Sequence, residues 1–127
     1  MRAVMRGSRR PWSRKFGDAF RGVSRAFRSQ SSFAVHAAAA FAVVAAGAVL
    51  RVTAAEWCLL ALAIGFVLAA EVFNTALESL ARAIDVGRHP RIRDALDMAS
   101  AAVLVAAATA AVVGFVVLAP RLLQLLG

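Results

Sequence analysis

The stretch Glu71-Val-Phe-Asn-Thr-Ala-Leu-Glu78 lies where a long apolar run meets a more polar, basic segment. At 100° per residue, Glu71, Asn74 and Glu78 fall within about 60° of one helical face, and Asp85 continues the same face. Carboxylates at membrane depth are costly and by default indicate a functional site. Glu71, Asn74 and Glu78 are called the acidic stripe below.

The composition around the acidic stripe favours a helical membrane protein. The chain has 127 residues, enough for one domain, and 61% of them are hydrophobic, with a mean hydropathy of +0.74. Small apolar residues dominate, which suits close helix–helix contact in lipid. The competing interpretation, a soluble alanine-rich bundle, does not fit the length of the uninterrupted apolar runs. The single cysteine, Cys58, excludes an internal disulfide.

The charge is strongly basic and unevenly placed. The net charge is +8, and nine of the fifteen basic residues lie in the first 28 positions. A nucleic-acid partner would require base-reading or stacking groups on a folded module, and none is visible in the sequence. Anionic lipid headgroups account for the same charge, so the predicted partner is a membrane.

The segments predict a single membrane domain over residues 12–127 behind a disordered basic tail at 1–11. On a helix, residues 12–29 place aromatic side chains on one face and arginines on the opposite face, which predicts an amphipathic surface helix. Three apolar segments follow that are long enough to cross a bilayer. These spans are predicted at about 33–50, 55–84 and 96–119, with a polar loop at 85–95 and with Pro120-Arg121 ending the third span.

Basic residues flank the start of the first span and fill the 85–95 loop. By the positive-inside rule, the N-terminus and this loop are expected to be cytoplasmic. The acidic stripe then lies at the cytoplasmic edge of the membrane, where ATP and Mg²⁺ are available.

Several functions remain compatible with that placement. Mg²⁺ prefers one or two carboxylates plus phosphate oxygens, and phosphoryl transfer also requires cations and a base. Glu71 could be that base for a lipid hydroxyl, Glu78 could hold metal and nucleotide, and His89 with the loop arginines could contact phosphates. Spacing alone favours equally a proton or ion relay, or polar contacts between helices of an oligomer. A transporter is the weaker alternative, because the other two spans carry few polar residues beyond their cytoplasmic ends.

The acidic stripe, His89-Pro90 and Asp97-Met-Ala-Ser-Ala-Ala-Val103 together resemble the prokaryotic diacylglycerol kinase family, which includes undecaprenol kinases, over roughly residues 20–118. The resemblance implies an all-α membrane protein, a homotrimeric bundle in which each chain has a surface helix and three transmembrane helices. It implies a bacterial cytoplasmic membrane enzyme whose active sites lie between protomers. The implied reaction transfers the ATP γ-phosphate, with Mg²⁺, to a lipid alcohol, foremost diacylglycerol to give phosphatidic acid, with undecaprenol as the alternative.

The resemblance also implies roles for individual residues. Glu71 matches the general base and contacts the lipid, Ser100 contacts the lipid, and Gln30 and Glu78 match metal ligands. The positions that match nucleotide contacts are Gln30, Asn74, Glu78, Gly87, Arg88, His89, Leu96 and Asp97.

Two of these positions depart from the family pattern. Gln30 stands where a glutamate is usual, and Leu96 where a lysine is usual. Arg93, one turn before Asp97, is a candidate replacement for the missing lysine charge. A member that keeps the fold but has lost efficient catalysis, and acts as a structural or lipid-binding protein, is the alternative hypothesis.

Overall fold

A computed structural model describes residues 9–29, 31–84 and 89–127. The described residues form four α-helices, of which three are long and apolar enough to cross a membrane. This confirms the prediction of an all-helical chain with three candidate spans. The predicted tail at 1–11 lies largely outside the described residues. The helices are α1 (Trp12–Ser29), α2 (Ser31–Val49), α3 (Ala54–Ile84) and α4 (Pro90–Leu126).

Helix α1 joins the other helices along a narrow face. Ala26 is buried, and the ring of Phe27 meets that of Phe33 in α2 edge to face, with 5.7 Å between ring centroids. Edge-to-face contact is a favoured geometry of aromatic pairs. The remaining large apolar side chains of α1 are exposed, which marks an interaction surface rather than a core. They are Trp12, Phe16, Phe20 and Val23.

The polar side of α1 carries a small ion-pair cluster around Asp18. Arg10 donates a hydrogen bond from Nη1 to Asp18 Oδ2 at 3.1 Å, and Arg21 donates from Nη2 to Oδ1. The hydrogen bond from Arg21 is the main cause that holds the pKa of the Asp18 carboxyl below its ordinary value of 3.8. The two arginine side chains are 64% and 73% exposed and that of Asp18 is 37% exposed, so water screens the cluster and it contributes little to stability.

A tight turn connects α2 to α3. Arg51 has a φ of 53°, in the left-handed region, and the N–H of Val52 donates to the carbonyl of Gly47 at 3.2 Å. This backbone pattern ends helices by satisfying carbonyls of the last turn. A side chain at position 47 would clash, because a Cβ there would lie 2.7 Å from the Trp57 ring. The glycine therefore allows α2 to approach α3 at the turn.

Helix α3 starts with a reciprocal cap. The N–H of Glu56 donates to Thr53 Oγ1 at 3.2 Å, and the N–H of Thr53 donates to Glu56 Oε1 at 3.3 Å. This capping box satisfies two donors that the first turn of a helix leaves unpaired. Glu56 also binds the far end of α4, because Arg121 donates to it from Nε at 3.0 Å and to the Arg51 carbonyl from Nη1 at 3.0 Å.

The bounds of α4 correct two predictions. The helix begins at Pro90 inside the predicted 85–95 loop, and it continues through Pro120 to Leu126. Proline suits the first helical position because its missing N–H would have no helical partner there, and His89 caps the helix by accepting the Arg91 N–H. At Pro120 a single backbone bond is lost, and the bonds of Arg121 to the α2–α3 turn hold the last turns in place.

The apolar core is small and lies at the end of the bundle that contains the α2–α3 turn. Leu60 is 1% exposed and packs with Val52 and Val117. The outer faces of all three spans expose large apolar side chains, such as Phe41, Phe66 and Phe115. Faces of this kind require lipid or another protein chain around them. The acidic stripe lies at the opposite end of the bundle from this core.

Candidate active site on helix α3

Glu71 is the most deeply buried polar residue among those that the structure describes. It is 1% exposed, and Ser32 in the first turn of α2 donates a hydrogen bond from Oγ to its Oε1. Thr75 donates from Oγ1 to the Glu71 carbonyl at 2.9 Å. A buried carboxylate needs hydrogen-bond donors, and the Ser32 hydroxyl supplies one without neutralising the charge of the Glu71 side chain. The arrangement leaves a carboxylate whose contact is an alcohol.

That contact has a chemical meaning. A general base must lie within hydrogen-bond reach of the proton that it removes. The Ser32 hydroxyl has this relation to Glu71 Oε1. The sequence-based prediction did not include Ser32, and the sequence does not distinguish it from Ser31, which carries the same hydroxyl in the same turn.

Asn74 and Glu78 continue the acidic stripe toward the end of α3. Asn74 Nδ2 donates to Glu78 Oε1 at 3.2 Å. Asn74 Oδ1 is buried and accepts no hydrogen bond from the described residues, which makes it available to a ligand. The Glu78 side chain is 29% exposed, and Arg82 Nη2 lies 3.9 Å from its Oε2.

The oxygens of Asn74 and Glu78 suit a magnesium ion that is shared with a substrate better than a metal ion that is coordinated by protein side chains alone. Among the described residues no group of three His, Cys, Asp or Glu side chains could hold a metal ion. Mg²⁺ is usually bound by one or two carboxylates and completes its shell with waters, substrate phosphates and other oxygens. The unsatisfied Asn74 oxygen and the partly exposed Glu78 carboxylate provide that kind of donor set. Of these two residues Glu78 is a predicted metal ligand and Asn74 a predicted nucleotide contact; the second predicted metal ligand, Gln30, lies outside the described residues.

Asp97 and Ser100, two of the predicted site residues of α4, do not lie on the buried face of that helix. Ala99 is the buried position near the start of α4, and Asp97 lies about 160° around the helix from it. Asp97 and Ser100 are exposed, and Leu96 is half-buried. The carboxylate of Asp97 therefore faces away from the side of α4 that contacts the rest of the chain.

His89 has a structural role that the sequence did not indicate. It is the N-cap of α4, and its Nδ1 accepts the N–H of Arg91 at 3.3 Å. His89 is exposed. Gly87 and Arg88, which the sequence predicts to contact nucleotide with His89, lie outside the described residues.

The fold and the site define a small helical membrane protein with a buried carboxylate at one end of its spans. The family of prokaryotic diacylglycerol kinases matches this chain over residues 17–118. The undecaprenol kinase of Bacillus subtilis (strain 168) is 34% identical over 109 residues, which cover 86% of this chain and 89% of the relative. The diacylglycerol kinase of Synechocystis sp. is 40% identical over 113 residues, 87% of this chain but 64% of the relative.

The chain belongs to the prokaryotic diacylglycerol kinase family. Membership confirms the prediction of a bacterial membrane protein that is a lipid kinase, with ATP as the co-substrate. The two predicted activities are the ones for which these relatives are named: undecaprenol kinase in Bacillus subtilis and diacylglycerol kinase in Synechocystis.

Proposed function

We propose that this chain phosphorylates diacylglycerol to phosphatidic acid, with Glu71 as the general base. The observation that supports this most directly is the buried Glu71 carboxylate, to which Ser32 donates its hydroxyl. In the proposed reaction the lipid hydroxyl takes the place of Ser32. Glu71 removes the proton of that hydroxyl as its oxygen bonds to the γ-phosphorus of ATP, the bond to the bridging oxygen breaks, and ADP leaves.

We further propose that Asn74 Oδ1 and Glu78 hold Mg²⁺ together with the nucleotide phosphates, and that Gln30 adds an oxygen ligand. Mg²⁺ would supply charge neutralisation at the phosphate oxygens. Two observations support this assignment: the hydrogen bond from Asn74 Nδ2 keeps the two side chains adjacent, and Asn74 Oδ1 is buried and accepts no hydrogen bond from the described residues. Gly87, Arg88 and His89 are proposed to contact nucleotide phosphates, as the resemblance implies.

The remaining site residues point to an assembly, and we propose a homotrimer. Asp97 and Ser100 are exposed on a side of α4 away from its buried face. A second copy of the chain that packs on this face would bring them to the acidic stripe of its neighbour. The exposed apolar faces of α2, α3 and α4 support such packing. In the assembly Asp97 would contact ATP and Ser100 the lipid.

The proposed orientation places the N-terminus and the acidic stripe on the cytoplasmic side. The arginine-rich α1 would lie in the membrane interface with its aromatic side toward the acyl chains. Its exposed side chains Trp12, Phe16 and Phe20 support that position. The ATP site would then face the compartment that contains the nucleotide.

Undecaprenol is the second candidate substrate. The observation that favours it is coverage: the Bacillus subtilis undecaprenol kinase is matched over 89% of its length, whereas the diacylglycerol kinase of Synechocystis is matched over 64%. A catalytically impaired member is the third candidate, because Leu96 brings no charge to the nucleotide.

One assay separates these candidates. The purified protein in mixed micelles receives γ-labelled ATP and Mg²⁺ with diacylglycerol, undecaprenol or no added lipid. We expect label in phosphatidic acid, with a lower initial rate on undecaprenol, and loss of label when Mg²⁺ is chelated. Faster labelling of undecaprenol would replace the proposed substrate. No labelled lipid from folded protein would support the impaired member. Leu96→Lys is the matched variant, since it restores the missing cation and should raise ATP affinity if Leu96 limits the reaction.

A further inference from the structure

A groove between α1 and α3 has no role in the reaction proposed above. It has a volume of about 550 Å³ and lies beside the acidic stripe. Three arginines line it: Arg25 and Arg28 from α1, and Arg82 from α3. All three are exposed, the side chain of Arg82 by 73%. Arg25 and Arg28 belong to the basic run of α1, and the packing of α1 on α3 adds Arg82, which is distant in sequence.

The charge of this groove, called the arginine groove below, indicates an anionic ligand. Like charges placed together raise the free energy of the folded state unless an anion lies between them. Guanidinium groups bind phosphate oxygens through paired N–H donors. Ser79 adds a hydroxyl to the lining. Arg82 also lies 3.9 Å from Glu78, so one of the three cations is already partly compensated and the other two lie on α1.

The uncharged residues that line the arginine groove indicate that the ligand is a lipid. Gly22 lines it, and no atom lies within 4 Å of the position that a Cβ would occupy there. The other lining residues are small or apolar, and none of the described ones is aromatic or acidic. A nucleotide would gain from a stacking ring for its base and an acid for its ribose. An amphiphile needs cationic groups beside apolar surface, and the groove combines its three arginines with the apolar residues Ala26, Val72 and Ala76.

We propose that the arginine groove binds the anionic headgroup of a bilayer phospholipid, with its phosphate among Arg25, Arg28 and Arg82 and its glycerol region over Gly22. The volume is within the usual range of small-ligand sites, roughly 300–1,000 Å³. The groove borders the acidic stripe through Arg82, but Glu71, Asn74 and Glu78 do not line it, and binding there does not depend on the kinase reaction.

The test measures which lipid stays on the protein. Full-length protein in detergent is supplied with equal phosphatidylglycerol and phosphatidylcholine, which share the phosphate but differ in net charge, and the retained lipid is counted by native mass spectrometry. We expect preferential retention of phosphatidylglycerol. Arg25→Gln with Arg28→Gln should lower that preference about twenty-fivefold, because each basic residue near an anionic headgroup contributes about fivefold.

Two further variants keep the result specific. Arg9→Gln with Arg14→Gln removes the same charge from residues that do not line the groove, and should leave the preference within about twofold of the unmodified protein. Gly22→Leu keeps every arginine but places a large side chain in the groove, and should reduce lipid retention without changing the charge. Equal loss in the Arg9/Arg14 control, or no preference for phosphatidylglycerol, would overturn the proposal. Displacement of the lipid by ATP in competition would assign the groove to nucleotide and overturn it as well.

Discussion

Replacing Ser32 with alanine tests the contact on which the candidate site depends. Glu71 is 1% exposed, and the hydrogen bond from Ser32 joins residues 39 positions apart. A hydrogen bond to a charged group contributes about 1.5–3 kcal/mol, and a buried carboxylate oxygen that loses its donor costs a similar amount. We expect Ser32→Ala to lower the free energy of unfolding by about 1.5–3 kcal/mol, which is roughly a tenfold to hundredfold change in the folded-to-unfolded ratio.

The assay is reversible unfolding in mixed micelles, followed by circular dichroism. Ser31→Ala is the matched control, since Ser31 is exposed and adjacent in the same helical turn. Ser32→Thr keeps the hydroxyl and should retain most of the stability. With Glu71→Gln as background, the cost of Ser32→Ala should shrink, because the partner is no longer a charged acceptor. A Ser32→Ala effect no larger than that of Ser31→Ala would refute the reasoning and leave Glu71 without its proposed contact.

Three other features give predictions measurable by the same unfolding assay or by hydrogen exchange. Gly47→Ala should destabilise by about 1–3 kcal/mol, since its Cβ would meet the Trp57 ring, whereas Gly114→Ala should stabilise by about 0.5–1 kcal/mol as an unhindered helix position. Destabilisation by both would contradict the packing. Arg51→Gly should stabilise by about 0.5–1 kcal/mol, because φ is 53° there; a loss of stability would argue against the turn. Because folding lowers the pKa of Asp18 below its ordinary value of 3.8, the ionised Asp18 stabilises α1 at pH values above 3.8. This stabilisation is lost as the pH falls through the pKa of the folded state. Amide protection in α1 should therefore decline in acid, and Asp18→Asn should remove that pH dependence.

The number of spans and the acidic stripe could be predicted because both follow from local pattern. Long apolar runs determine spans by length alone. The spacing of Glu71, Asn74 and Glu78 determines one helical face wherever the helix lies. Both features belong to single helices, so no knowledge of tertiary packing was needed.

The bounds of α4 were wrong because proline was treated as a helix breaker at both ends. Proline is tolerated at the first position of a helix, as at Pro90. The helix continues past Pro120, where the next residue, Arg121, is bonded to Glu56 and to the Arg51 carbonyl. Local propensity is a weak guide when a tertiary contact competes with it.

The contacts of the site could not be predicted from the sequence for a different reason. Ser32 and Glu71 lie on different helices, so no periodicity connects them. Helix α4 is rich in alanine on all sides, so the pattern does not indicate which side faces α3 or that Asp97 lies away from it. The arginine groove likewise exists only once α1 has packed on α3.

The most direct test of the central claim compares two identical substitutions on one helix. Glu71→Gln removes the proposed base, and Glu56→Gln alters a carboxylate at the other end of α3 that pairs with Arg121. With labelled ATP, Mg²⁺ and diacylglycerol, we expect Glu71→Gln to lower kcat by roughly 10²–10⁴-fold, the usual contribution of a general base. Glu56→Gln should lower stability but keep kcat within about threefold in the folded fraction. A Glu71→Gln protein with near-normal kcat would contradict the account.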